Sequence, residues 1–186
     1  MVHLERLTLP LLARTAAAEF KDKPAFMLFG ESGIYDRLTY AQFGRQVEAF
    51  AVALGALGVQ PGDRVLLLAE NRPEWPVAYF GIALAGCISV PVLTDFLAEH
   101  VASVAEHSGV AAICATEKTL PKLNAAGIPA KTPILRLDLP NEVHVPAEGV
   151  SFPRVEEDSP ASIIYTSGTT GKSKGVTLSH RNILFD

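Results

Sequence analysis

Cysteine is scarce in this chain, two in 186 residues, and neither Cys87 nor Cys114 has a partner at CxxC spacing. Both lie in apolar stretches, which excludes a disulfide framework and reads as buried thiols in a reducing compartment, the cytoplasm. Basic charge is scarce too. Sixteen Lys and Arg against twenty Asp and Glu leave a net charge of -4, so the chain offers no field for nucleic acid, and any contact with a membrane is peripheral. Charged residues of both signs make up 19%, below the roughly 25% of an average soluble protein. Together with 48% hydrophobic residues and a mean hydropathy of +0.24, this excludes a disordered chain. Met1 to Arg6 lack the basic patch, apolar core and small-residue cleavage site of a secretory signal. One uncharged run, Val77 to Leu93, approaches the length of a membrane span. Gly86, Ser89 and Pro91 divide it into an apolar helix and a short strand, as in a sheet covered on both faces.

What is present is an alternation of helix and strand patterns. Thr39 to Gln42 fits a capping box, and Phe43, Val47, Phe50, Ala51, Leu54 and Leu57 recur at helical spacing until Gly58. Pro61 to Asp63 is a turn, and Val65 to Ala69 is an apolar run too short for a helix, hence a buried strand. The same alternation predicts a helix from about Pro73 to Ala85, a strand over Ile88 to Val92 and a helix capped by Asp95 and running to about His107. A strand over Val110 to Cys114, a helix over Glu117 to Asn124 and a weaker strand over Pro133 to Leu137 complete it. The class is therefore α/β, a parallel sheet with helices on both faces. Ahead of this block, Leu4 to Phe20 reads as helical, and Ala25 to Phe29 and Ile34 to Leu38 flank a glycine-bearing loop as a small hairpin. Between residues 138 and 160, four prolines and the acidic run Glu156 to Asp158 predict an extended connector.

The chemistry is concentrated after the connector. Ser162 to Tyr165 has a strand pattern, and residues 166–175 then place five hydroxyls, three glycines and two lysines in ten positions. Glycines let backbone N–H groups turn toward a ligand, hydroxyls donate to phosphate oxygens, and lysine offsets polyphosphate charge. A plain hairpin turn needs one glycine and has no use for so many donors. The expected ligand is a nucleotide triphosphate. A Walker A loop is excluded, because Gly171 and Lys172 would require glycine where Thr166 stands, and because Gly175 to Leu178 reads as a strand, not as the helix such a loop must enter.

Residues Tyr165 to Val176 resemble the phosphate-binding motif of the adenylate-forming superfamily, which includes acyl-CoA synthetases, luciferases and nonribosomal-peptide adenylation domains. Leu38 to Tyr40, Leu57 to Val59, Pro61 to Val65, Asn71 to Trp75, Ala85 with Gly86, and Val90 with Pro91 are similar to that family's amino-terminal region in order and spacing. The resemblance covers about Leu38 to Asp186 and departs at Ser173, where the family has proline. It implies that residues 1–186 are the amino-terminal portion of an AMP-binding domain, with a connector at 138–160 and a strand, phosphate loop and strand at 162–178. It further implies activation of a small-molecule carboxylate by ATP and magnesium, with the acyl-adenylate captured by coenzyme A. The segments around Asn71 to Trp75 and Val90 resemble fatty-acyl-CoA synthetases most. Carried over by residue, Thr166, Ser167, Gly168, Thr169, Thr170 and Gly171 contact the β- and γ-phosphates, Lys174 is the catalytic cation on departing pyrophosphate, and Thr166 also touches magnesium. Lys172 either joins them or faces solvent. Sites for adenine, ribose and the carboxylate lie beyond residue 186 in this family, so a truncated chain that turns over nothing by itself is expected. The alternative is a non-catalytic nucleotide-binding or scaffold module that keeps only the loop.

Other candidates have plainer readings. His100 and His107 share a helix face without acidic or thiol partners at ligand spacing, and read as solvated. Ser179 and His180 are neighbours, which does not make a dyad; Ser179 reads as a helix cap. Glu156, Glu157 and Asp158 diverge as consecutive side chains and read as hydrated, and Trp75 reads as a packing residue.

Overall fold

The computed structural model describes residues 5–30, 33–139, 150–166 and 174–185. Thr8 caps α1 (Leu9–Phe20) by accepting from the Leu11 amide, and Pro10 occupies the first turn, where its missing N–H costs nothing. The hairpin β1 (Pro24–Gly30) and β2 (Gly33–Thr39) forms a separate two-stranded sheet. Thr39 and Gln42 form the capping box that starts α2 (Tyr40–Ala56), with bonds of 3.2 and 2.8 Å to each other's backbone amides. The expected alternation follows: β3 (Arg64–Leu68), α3 (Glu74–Leu84), β4 (Ile88–Pro91), α4 (Ala98–Ser108), β5 (Ala112–Ala115), α5 (Leu120–Ala125) and β6 (Ile134–Arg136). β7 (Pro160–Thr166), β8 (Lys174–Ser179) and α6 (His180–Phe185) complete the chain. Among the described residues no helix is long and apolar enough to cross a membrane.

The main sheet has the order β6-β5-β3-β4-β7-β8, parallel except for the antiparallel pair β7–β8. Its core strands are apolar on both faces because both faces are covered. Val65 and Leu67 of β3, with Ala112, Cys114 and Leu135, pack against Phe43, Val47, Phe50 and Leu54 of α2 and Val77 and Ile82 of α3. The alternate residues Leu66 and Leu68, with Val90 and Ile113, pack against Val101 and Val104 of α4 and Leu123 of α5. Full burial of each such side chain stabilises by about 1.5–3 kcal/mol. α3 can lie this close to α2 because Gly81 faces the Phe50 ring; a Cβ there would come within 2.6 Å of it. Cys87 and Cys114 are free and buried, and burial raises both thiols, Cys87 to about 11.

Three helix starts differ from expectation. α1 begins at Leu9 and not near Leu4, because Thr8 takes the cap position and residues 5–8 lie outside the helix. Asp95 does not cap α4: Thr94 to Phe96 form a turn closed by the Phe96 amide on the Leu93 carbonyl, and Leu97 stands at the cap position. α5 begins at Leu120 and not at Glu117, because the Glu117 amide is drawn to Asp138 at 2.9 Å and Thr119 turns its hydroxyl to the Leu68 carbonyl at 3.0 Å. The described part of the connector, 150–159, has no helix or strand but is packed. Phe152 lies against the core and Pro153 against Gly86, whose positive φ of 72° lets the chain turn beneath it.

Candidate functional site

A β-hairpin that ends a parallel sheet presents its tip at the carboxyl edge, where ligands of open α/β sheets bind. Here β7 runs parallel to β4, and its ladder with β8 extends from Pro160 opposite Ser179 to Thr166 opposite Lys174. Thr166 and Lys174 are thus cross-strand partners at the tip, both exposed. Ser167, Gly168, Thr169, Thr170, Gly171 and Lys172 lie outside the described residues. What the structure shows is the base from which that segment departs.

This base is anchored through side chains. Ser162 is buried and its hydroxyl donates to the Ser89 carbonyl at 3.2 Å. Tyr165 inserts its ring into the cluster with Leu66, Val90 and Val104, and its hydroxyl shares a 2.6 Å hydrogen bond with His107 Nδ1 of α4. Burial raises the Tyr165 phenol above its ordinary range, while the neighbouring Ser108 hydroxyl donates to the Val104 carbonyl at 2.6 Å. The opposing Gly175 leaves the ring room: a Cβ would stand 3.0 Å from Tyr165 Cζ and from Ile163 Cγ2. His107 is exposed, as its helix position suggested, but is not merely solvated. His100 does fit the plainer reading, with Glu99 3.9 Å away and its ring edge-on to Phe96.

Behind the hairpin, Ser179 caps α6 by accepting from the Asn182 amide at 3.2 Å, while Asn182 Oδ1 accepts from the Ser179 amide at 3.0 Å. His180 is buried, and its Nδ1 accepts from the Leu9 amide at 3.3 Å, tying α6 to the start of α1. Burial lowers its pKa to about 4, so the ring is neutral near pH 7. The acidic run is also tied down. Glu157 accepts from the Leu7 amide at 3.0 Å and pairs with Arg181 at 2.5 Å, Asp158 pairs with Arg181, and Glu156 pairs with Arg154 and Arg6. Trp75 stacks on Tyr79, ring centroids 5.3 Å apart.

A second polar group lines the same edge at the ends of β3, β5 and β6. Thr116 donates to Glu70 at 2.7 Å, Arg72 donates to Glu74 at 2.6 Å, and Arg136 holds Asp138 with bonds of 2.8 and 2.9 Å. The Arg136 bond keeps the Asp138 carboxyl well below the usual carboxylate range, and the Glu74 bond raises Arg72. No spacing in the sequence announces this network, because its members come from separate strands. Among the described residues no group of three or more His, Cys, Asp or Glu could hold a metal ion.

The described residues thus form a parallel sheet covered on both faces, an α/β architecture whose terminal hairpin carries Thr166 and Lys174 opposite one another at the carboxyl edge. A family profile described as AMP-binding enzyme matches residues 13–186. The chain belongs to this family of adenylate-forming enzymes, and its fold is that of their amino-terminal domains. It is 29% identical to crotonobetaine/carnitine–CoA ligase of Salmonella paratyphi B, over 91% of this chain and 36% of that protein. Among solved structures, the Mycobacterium tuberculosis fatty acyl CoA synthetase superposes with a TM-score of 0.79 at 26% identity, covering 94% of this chain and 35% of the other. The L. pneumophila fatty acyl-adenylate ligase, in complex with acyl adenylate and pyrophosphate, superposes with a TM-score of 0.82 at 25% identity, over 97% and 32%. The chain thus spans about a third of the length of these relatives.

Proposed function

We propose that this chain supplies the ATP phosphate loop of an enzyme that activates a carboxylic acid as its acyl-adenylate and passes the acyl group to the thiol of coenzyme A. The observation that carries the reading is the pairing of Thr166 with Lys174 across the tip of the β7–β8 hairpin. In the first half-reaction a carboxylate oxygen attacks the α-phosphorus of ATP and the bond to pyrophosphate breaks. Negative charge develops on the leaving oxygen, and donors fixed beforehand stabilise it without reorganisation. The backbone amides and hydroxyls of residues 166–171 serve as those donors, and the Lys174 ammonium neutralises pyrophosphate. Magnesium would be held together with the phosphates, Thr166 offering its exposed hydroxyl as the protein ligand, and would supply positive charge against the departing pyrophosphate.

The acid is a fatty acid in this reading, supported by the likeness to the M. tuberculosis fatty acyl CoA synthetase. The identity with crotonobetaine/carnitine–CoA ligase favours a second candidate, a small quaternary-ammonium acid. Residues 1–186 alone have no turnover in this scheme, and the carboxylate pocket is supplied by sequence outside them. ATP–pyrophosphate exchange on the full reading frame, driven by fatty, aromatic and carnitine-like acids in turn, tests the reading. Exchange with fatty acids supports it, exchange with carnitine-like acids alone shifts the substrate class, and ATP binding without exchange favours a non-catalytic nucleotide module.

A further inference from the structure

We infer that His107 is a positioning residue for the ATP phosphate loop, acting through the Tyr165 hydroxyl; the inference rests on the reading of that loop given above. β7 meets the parallel body of the sheet at Ser89 opposite Ser162, in its amino half, whereas its ladder with the edge strand β8 continues to Thr166. The half that leads into the loop is therefore fastened to the domain by side chains. Tyr165, adjacent to Thr166, is the principal fastening, 7% exposed and wedged between the α4 side of the core and Gly175.

Packing alone fixes the depth of such a ring, and a hydrogen bond at its far end fixes its direction. That bond is shared with His107 Nδ1 at 2.6 Å, the imidazole standing edge-on to the phenol at 89°. The helix end that carries His107 is itself held. Gly109 closes α4 in the left-handed conformation, and the Arg64 guanidinium donates to the Ser108 and Gly109 carbonyls at 2.9 and 2.7 Å. A chain of contacts thus runs from β3 through the end of α4 to the residue before Thr166. Phosphate donors act only within about half an ångström of the productive geometry, so a tie one residue before Thr166 bears directly on the loop. Because His107 is exposed, trimming it leaves no cavity, which separates direction from packing.

The test uses the protein encoded by the full reading frame. Exchange kinetics and thermal melts are compared for wild type, His107→Ala, His107→Asn, Tyr165→Phe and the double variant His107→Ala with Tyr165→Phe. Loss of one hydrogen bond raises KM for ATP about fivefold in each single variant, the double variant is no worse than either, and the KM for the carboxylate does not move. His107→Asn, whose amide can occupy the place of Nδ1, restores the wild-type value. An unchanged KM for ATP in His107→Ala, or equal rises in both KM values with a lower melting temperature, overturns the role. If wild type exchanges with no acid, the reaction assigned above fails independently. Titration with a fluorescent ATP analogue then decides: affinity about fivefold weaker in His107→Ala upholds the tie, and equal affinity overturns it.

Discussion

Tyr165 and Gly175 face each other across the β7–β8 ladder, and the phenol ring rests where a side chain on Gly175 would begin. Gly175→Ala would place a methyl 3.0 Å from the ring and from Ile163, so one of them must shift. Overpacking of this kind costs about 1–3 kcal/mol. The expected outcome is a lower melting temperature together with weaker ATP binding, read by calorimetry and nucleotide titration. Unchanged affinity would show that the ring can move without disturbing the loop.

Lys174 is exposed at the tip and its side chain fills no core. Lys174→Ala is therefore expected to leave the melting temperature in place while lowering the exchange rate of the full-length enzyme by about 10²–10³-fold, the loss seen when one transition-state donor is removed. A loss of stability with an unchanged rate would count against its assignment to pyrophosphate.

His180 titrates in the folded chain near 4, below its ordinary 6.5, because it is buried. Between these values the unfolded chain binds the extra proton, so stability is full above about pH 6.5 and falls as pH drops toward 4. At 1.36 kcal/mol per unit the loss is at most about 3 kcal/mol. His180→Asn keeps an acceptor for the Leu9 amide and removes the proton, so its melting temperature is expected to change less than that of wild type between pH 7 and 4.5. Parallel curves would exclude His180 as the cause.

Ser89 stands on β4 with its hydroxyl buried and without a hydrogen-bond partner among the described residues. Such a group costs about 1–3 kcal/mol. Ser89→Ala removes it and leaves the carbonyl that receives the Ser162 hydroxyl, so the variant should be about 1 kcal/mol more stable, or about 2–4 °C in melting temperature. A fall in melting temperature would mean the hydroxyl is bonded.

The parts of this fold legible in the sequence are those decided locally. The box at Thr39 and Gln42 spans three residues, and the run Val65 to Leu68 is apolar on both faces whatever lies beyond it. Asp95 misled because a turn at Thr94 to Phe96 competed for the same residues, and the expected helix start at Glu117 because Asp138, 21 positions on, captured its amide. The hydroxyls and glycines of residues 166–175 suggest phosphate binding by composition, and that reading stands as the proposal made above. His107 could not be tied to Tyr165 in the same way, since 58 residues separate them and only the fold sets α4 beside β7. The acidic run was legible as charge, but its bonds to Leu7 and Arg181 depend on where two distant segments meet.

The amides of Leu7 and Leu9 find their acceptors in Glu157 and His180, 150 and 171 positions away. During synthesis, then, the start of α1 leaves the ribosome long before its acceptors and is among the last parts of the fold to be finished. Its first turn remains bonded to water until β7 and α6 have emerged, and contacts of such long sequence separation form slowly. A ribosome stalled before residue 157 would display α1 without these two bonds, open to proteases and chaperones. The same helix is closed once the β7–β8 hairpin and α6 have taken their places.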